Sequence, residues 1–216
     1  MILRLAASRA PARAFPETPG GRSGLPPGQG VPRAVLLAKA GQWLYFASIM
    51  KLSNKLEKVL NDQINLELGS AYAYLGMAAY FERTPFTGFG KWMQVQTSEE
   101  LGHAKRFFEY IVERGGKVTL QAIPEPKCDY KSPLDAFKAS LGHEHKVSAS
   151  ICAIYELAAA EKDYPTLSFL KWFLDEQVEE ERNVGDMLAK LELVGDNSNG
   201  LYQIDRQAAM RAAEKH

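Results

Sequence analysis

Cysteine is almost missing from this chain. Cys128 and Cys152 are the only two in 216 residues, too few for a disulfide framework and unsuited to a thiolate metal cluster, so both are expected to be free thiols in a reducing compartment. An excess of charge of one sign is also missing. Lys plus Arg and Asp plus Glu each number 26, and this balance points to neither nucleic acid nor a membrane surface as partner. No hydrophobic run is long enough to cross a bilayer: the apolar stretch at residues 34–49 is short and is interrupted by Lys39 and Gln42. What remains is 46% hydrophobic residues, enough for the core of one ordinary domain.

The first 49 residues differ from the rest. They hold six basic residues against a single acid, Glu17, and more than half of them are Ala, Gly, Pro or Arg. The Pro- and Gly-rich run over residues 16–32 has no periodicity from which to build a packed face, so the segment is expected to be unstructured. It does not fit a secretory signal, whose charged leading region would here exceed thirty residues. Its Arg-rich, acid-poor beginning does match the composition of an organelle presequence. The favoured reading is a dispensable extension, with Met50-Lys51 as the natural start; a targeting segment and a functional basic tail are the alternatives. The domain proper is expected over residues 50–216.

From Ser53 onward the apolar pattern is helical. At about 100° per residue, Leu56, Leu60, Ala71, Tyr74, Ala78 and Phe81 fall within about 40° of Glu67. Thr84-Pro85 and Gly88 then supply a turn. A second stripe joins Phe89, Met93, Glu100, Ala104, Phe107 and Ile111, with His103 beside it, and Gly115-Gly116 ends it. Residues 117–131 show no stripe and contain Pro124 and Pro126. Extended, they reach about 50 Å, against about 42 Å for a 28-residue helix, so this connection can run the whole length of a bundle. Ser132-Pro133 with Asp135 signals a third helix carrying Phe137, Leu141, Glu144, Ser148, Ile151 and Tyr155. Asp163-Tyr164-Pro165 is a short turn into a fourth, with Phe169, Trp172, Phe173, Glu176, Glu180, Met187 and Leu191. After the break at residues 195–200 a short amphipathic segment is expected from about Leu201 to Ala213. The fold class is all-α: an antiparallel four-helix bundle with one long crossover between helices 2 and 3 and a short fifth helix.

Each long helix thus carries an acid in the middle of its apolar stripe. Burying that many carboxylates at one level is prohibitively costly unless a cation lies between them. Glu100 and His103, three apart, share a face one turn apart; Glu176 and Glu180 are four apart, with Glu179 to one side. Oxygen-rich ligation with one imidazole suits iron or manganese better than structural zinc. A bridging carboxylate between two ions neutralises a space that one ion would leave over-acidic, so a dinuclear site is expected.

The strings NDQINLELGSAYAY, SEELGHAKRFFEYI, GHEHKVSASI and DYPTLSFLKWFLDEQVEEER resemble, in order and spacing, the bacterial-type non-haem ferritins over residues 50 to about 210. Symmetric ferritin-like di-iron bundles take a Glu from each of two helices and a Glu-x-x-His from each of the other two. Here the fourth helix offers Glu180-x-x-Asn183, so a second histidine is missing, as in ferritins. Leu101 stands where bacterioferritins place a haem-ligating methionine, and haem is not expected. The resemblance implies one iron held by Glu67, Glu100 and His103 and another by Glu100, Glu144 and Glu180, with Glu100 the bridge and Gln177 on the dioxygen-facing side. It implies a third iron position at Glu99, Glu176, Glu179 and Glu180, and Tyr74 beside the centre as a source of a hydrogen bond or an electron. The implied activity is a ferroxidase: Fe(II) is oxidised by dioxygen or peroxide and Fe(III) mineral is stored in a hollow cytoplasmic shell of 24 subunits, for iron storage and detoxification.

Taken singly, a glutamate on a helix is usually a solvated charge; the joint pattern carries the reading. Glu99, Glu176 and Glu179 have an alternative as an acidic cavity wall, and Tyr74 as a core tyrosine with a satisfied hydroxyl. His143 and His145 point away from Glu144 and read as surface histidines, and Phe169, Trp172 and Phe173 as core packing. Two other functions stay open: a mineral scaffold without oxidase activity, and a DNA-protecting mini-ferritin with a basic tail. The complete ligand set speaks against the first. The intrabundle ligands and the fifth helix speak against the second.

Overall fold

The computed structural model describes residues 51–211; the extension at residues 1–49 lies outside the described residues. Five helices follow one another: α1 Asn54–Phe81, α2 Thr87–Glu113, α3 Pro133–Glu161, α4 Tyr164–Val194 and α5 Ser198–Ala208. No strand occurs among the described residues. The helix starts are set by the polar residues that the sequence places there. Ser53, Ser132, Asp163 and Asn197 each accept a backbone N–H of the following first turn, with Pro133 and Pro165 in the first turns of α3 and α4. Gly115, at φ 67°, turns the chain out of α2. The fifth helix begins and ends earlier than the expected 201–213, because Asn197 caps it at one end and the chain leaves helical geometry after Ala208.

Side-chain pairs fix the helix directions. Gln63 meets Ser150 while Tyr74 meets Ser140, so α1 and α3 run antiparallel. Gln96 meets Glu180 while Tyr110 meets Thr166, so α2 and α4 do as well. The 117–131 connection lies along α1 as its length predicts: Asn61 bonds to Lys117 O and Thr119 N near its start, and Arg83 to Cys128 O and Asp129 near its end. Gly76 makes room for it, since a Cβ there would stand 2.8 Å from Lys127 O.

Two apolar clusters fill the bundle. One contains Phe81, Phe89, Trp92, Met93, Phe137 and Leu191, with Ile204 and Ala208 of α5; the other contains Leu56, Leu60, Phe107, Ile151, Leu170 and Phe173. At about 1.5–3 kcal/mol for each fully buried large side chain, these clusters hold the helices in register. Along every long helix the acids fall between the clusters: Glu67 between Ile64 and Tyr74, Glu100 between Met93 and Ala104, Glu144 between Phe137 and Val147, Glu180 between Phe173 and Val184. No helix among the described residues is long and apolar enough to cross a membrane.

Candidate metal centre

Helical periodicity turns each acid inward because its own stripe is anchored in apolar contacts on both sides. The result is that Glu67, Glu100, His103, Glu144 and Glu180 are all between 0 and 2% exposed, and Gln177 is buried with them. Glu67, Glu100 and His103 come closest: a donor atom of each lies within 4.8 Å of the others, and His103 Nδ1 is 3.5 Å from Glu100 Oε2. Glu67 Oε2, Glu100 Oε2 and both nitrogens of His103 are buried without a hydrogen-bond partner. Buried polar atoms are normally satisfied. A constellation of two carboxylate oxygens and an imidazole nitrogen left over in this way has the chemistry of a hard-to-borderline divalent cation site.

The other half is tied down. Glu144 accepts a hydrogen bond from the Tyr74 hydroxyl, which is also 2.8 Å from Ser140 Oγ, and the Gln177 amide reaches Glu144 Oε2 at 3.4 Å and Ser148 Oγ at 3.2 Å. Gln96 donates to Glu180 Oε2 at 2.9 Å. Gln63 donates to Glu67 Oε1 at 2.8 Å and is itself oriented by Ser150.

Crowding shows in the acidities. Burial, then the charge of Glu100, pushes the Glu67 carboxyl well above the usual range; burial, then the charge of Glu144, does the same to Glu100. Burial also raises Glu144, despite the bonds from Tyr74 and Gln177, and with Glu144's charge it pushes Glu180 up to about 8. The Tyr74 phenol is pushed up by burial and by Glu144, which keeps it a proton donor. Without a cation the layer retains protons at neutral pH, and a metal that displaces them is favoured electrostatically.

Of the four residues expected around a third position, Glu99, Glu176 and Glu179 take different partners, and Glu180 shares Arg211 with Glu99. Glu99 is bound by Arg211, whose Nη2 is 2.8 Å from Oε2; Glu176 Oε1 lies 3.9 Å from His103 Nε2; Glu179 is partly exposed and pairs with Arg182 at 3.2 Å. His145 is exposed and 3.7 Å from Glu181, and His143 is half-buried outside the acid layer. Phe173 is buried in the core, while Trp172 packs edge-on to His103 at 5.6 Å and beneath Arg106. Both cysteines are free. Sequence reasoning missed Gln63, Gln96, Ser140 and Arg211. Gln63 and Gln96 carried a signal, each an amide one turn before a stripe glutamate; Ser140 and Arg211 carried none.

An all-α bundle with a buried acid and imidazole layer is the architecture of ferritin-like proteins. Residues 57–194 match the ferritin-like domain model, and the chain belongs to the ferritin family. It is 40% identical over 164 residues to the bacterial non-heme ferritins of Staphylococcus haemolyticus (strain JCSC1435) and Staphylococcus aureus (strain USA300), covering 76% of this chain and 99% of theirs. An open pore ferritin from the hyperthermophilic archaeon Archaeoglobus fulgidus superimposes with a TM-score of 0.74 at 43% identity, covering 75% of this chain and all of that one.

Proposed function

We propose that this chain is the subunit of an iron-storage shell and a ferroxidase: it oxidises Fe(II) with dioxygen or peroxide and passes Fe(III) to a mineral inside a hollow assembly of 24 copies. The observation that carries the reading is the buried layer of acids and one imidazole with unpartnered donor atoms on Glu67, Glu100 and His103. Iron is substrate and cargo here. Glu67 and His103 hold one Fe(II), Glu144 and Glu180 the other, and Glu100 is shared by both, with Gln177 alongside. Binding releases the protons that crowding holds on these carboxylates. Two Fe(II) give up two electrons, and dioxygen takes them with two protons to leave as hydrogen peroxide. Tyr74 keeps Glu144 in place through its hydroxyl. The location that goes with two free thiols is the cytoplasm; an organelle is the alternative if residues 1–49 act as a presequence, which mass spectrometry of the native protein decides.

Stopped-flow absorbance with two Fe(II) per subunit tests the oxidase. A rapid di-iron(III) transient is expected in the wild type and none in Glu100→Ala; equal rates in the two would leave only a mineral scaffold. Light scattering of the assembled protein tests the shell, where a dodecamer would overturn it.

A further inference from the structure

Arg211 is a basic side chain that reaches two acids of the layer, Glu99 and Glu180. It lies three residues past α5, and its approach is built. Asp205 of α5 accepts the Phe89 backbone N–H at 2.8 Å, capping the start of α2, and Gly88 passes so close to the Asp205 carbonyl that no Cβ fits there. Ile204 and Ala208 lock the helix into the apolar cluster. Delivered from this anchor, the guanidinium lies 4.5 Å from the centroid of Trp92, a favourable cation–π position. Its Nη2 stands 2.8 Å from Glu99 Oε2 and 4.0 Å from Glu180 Oε2. The side chain is 16% exposed, and Nη1 is buried without a hydrogen-bond partner.

We propose that Arg211 acts as a tethered cation that fills the third metal position of this subunit, so that Glu99 and Glu180 accept a third divalent ion only when the guanidinium withdraws. The inference rests on the metal-centre reading above. Its physical basis is exclusion of charge by charge: a guanidinium and a divalent ion cannot both occupy the space between Glu99 and Glu180, since their repulsion in a poorly hydrated setting far exceeds that in water. Glu176 and Glu179, which would complete a third site, are turned to His103 and Arg182 instead. Withdrawal needs no helix to unfold, because Arg211 follows the last turn of α5 and faces a cavity of about 300 Å³ lined by Trp92, Glu179, Asn183, Asp186 and Lys190. The ordering of metal affinities thus becomes a property of the C-terminal segment as well as of the bundle.

The test is calorimetric titration of metal-free shells with Zn(II), comparing wild type, Arg211→Lys, Arg211→Gln and Arg211→Ala. Two Zn(II) per subunit are expected to bind in all four proteins. A third is expected to bind about tenfold or more tightly in the two neutral variants than in wild type, with Arg211→Lys close to wild type. A guanidinium that merely anchored the chain end would lower the melting temperature of the neutral variants and leave the third isotherm where it was. That result, with two ions still bound, overturns the role of Arg211 alone. Failure of the first two ions to bind overturns the metal centre and this inference with it. Either neutral variant suffices, since Gln keeps the side chain's contact with Trp92 while Ala removes it.

Discussion

Two of the polar regions buried among the described residues are built on opposite plans. At the α2–α4 end, Arg114 grips Asp163 through two bonds of 3.0 and 2.8 Å, with side chains 8% and 7% exposed. Thr166 and Tyr110 close the network. Burial alone would raise the Asp163 carboxyl, but the guanidinium and the Thr166 N–H outweigh it and hold the acid below its ordinary range. In the central layer the balance is reversed: carboxylates face carboxylates, donor atoms of Glu67, Glu100 and His103 lack hydrogen bonds, and the carboxyl pKa values shift upward. A closed buried network holds a fold together. An open one costs stability and is kept for what it binds.

Substitutions that separate these plans sharpen the contrast. The largest effect is expected from Glu100→Ala, which removes the carboxylate proposed to serve both irons: rapid iron oxidation falls to the rate of Fe(II) in buffer, while the metal-free shell melts at the same temperature or higher. A lower melting temperature in that variant would mean that the layer is structural after all. Arg114→Ala should do the reverse. Leaving Asp163 buried and unpaired costs about 3–5 kcal/mol in denaturant unfolding, with oxidation per folded subunit unchanged.

The pH dependence should also run in opposite directions. A carboxyl whose folded pKa is raised lets the folded state hold the extra proton, so stability is lost as pH rises from the unfolded value, about 4.3, towards the folded one. For Glu180 the window extends to about pH 8, and its share is on the order of 5 kcal/mol at about 1.4 kcal/mol per tenfold change in proton affinity. The metal-free shell should therefore weaken between about pH 4.5 and pH 8, and Zn(II) should abolish that slope. Asp163, with its lowered pKa, contributes stability above its unfolded pKa and loses it as pH falls through the folded one. Its loss appears only in acid, and Arg114→Ala removes it. Thermal melts across pH with and without Zn(II) check both arms. The smallest expected effect is that of Tyr74→Phe, which deletes the bond to Glu144 and should weaken the second Zn(II) site by about tenfold, leaving the first site and the fold intact.

Much of the buried acid layer was legible in advance because helical periodicity is a one-dimensional signal. Glu67, Glu100 and Glu144 sit on apolar stripes, and a residue so placed must face the core whatever the partner helices are. His103 and Gln177 followed from spacing and from the resemblance to ferritins. The supporting residues were harder. Ser140 looks like any helix serine until α1 and α3 are packed antiparallel and Tyr74 arrives opposite it. Glu179 shares a helix with Glu176 and Glu180, yet its side chain is drawn to Arg182 at the surface; a 60° offset on the helix is too small for the sequence to decide between layer and solvent. Arg211 lies 112 residues from Glu99, and no local pattern connects them.

By itself, then, the sequence determined the helices, their caps, the length of the crossover and the level at which acids enter the core, since each depends on neighbours within a few residues. Only the tertiary structure decided which carboxylate oxygens are satisfied and which are left for a cation, and that Arg211, past α5, returns to the layer with a guanidinium. Those outcomes depend on distances between separate helices, which are set by the packing of two apolar clusters that no single stripe contains.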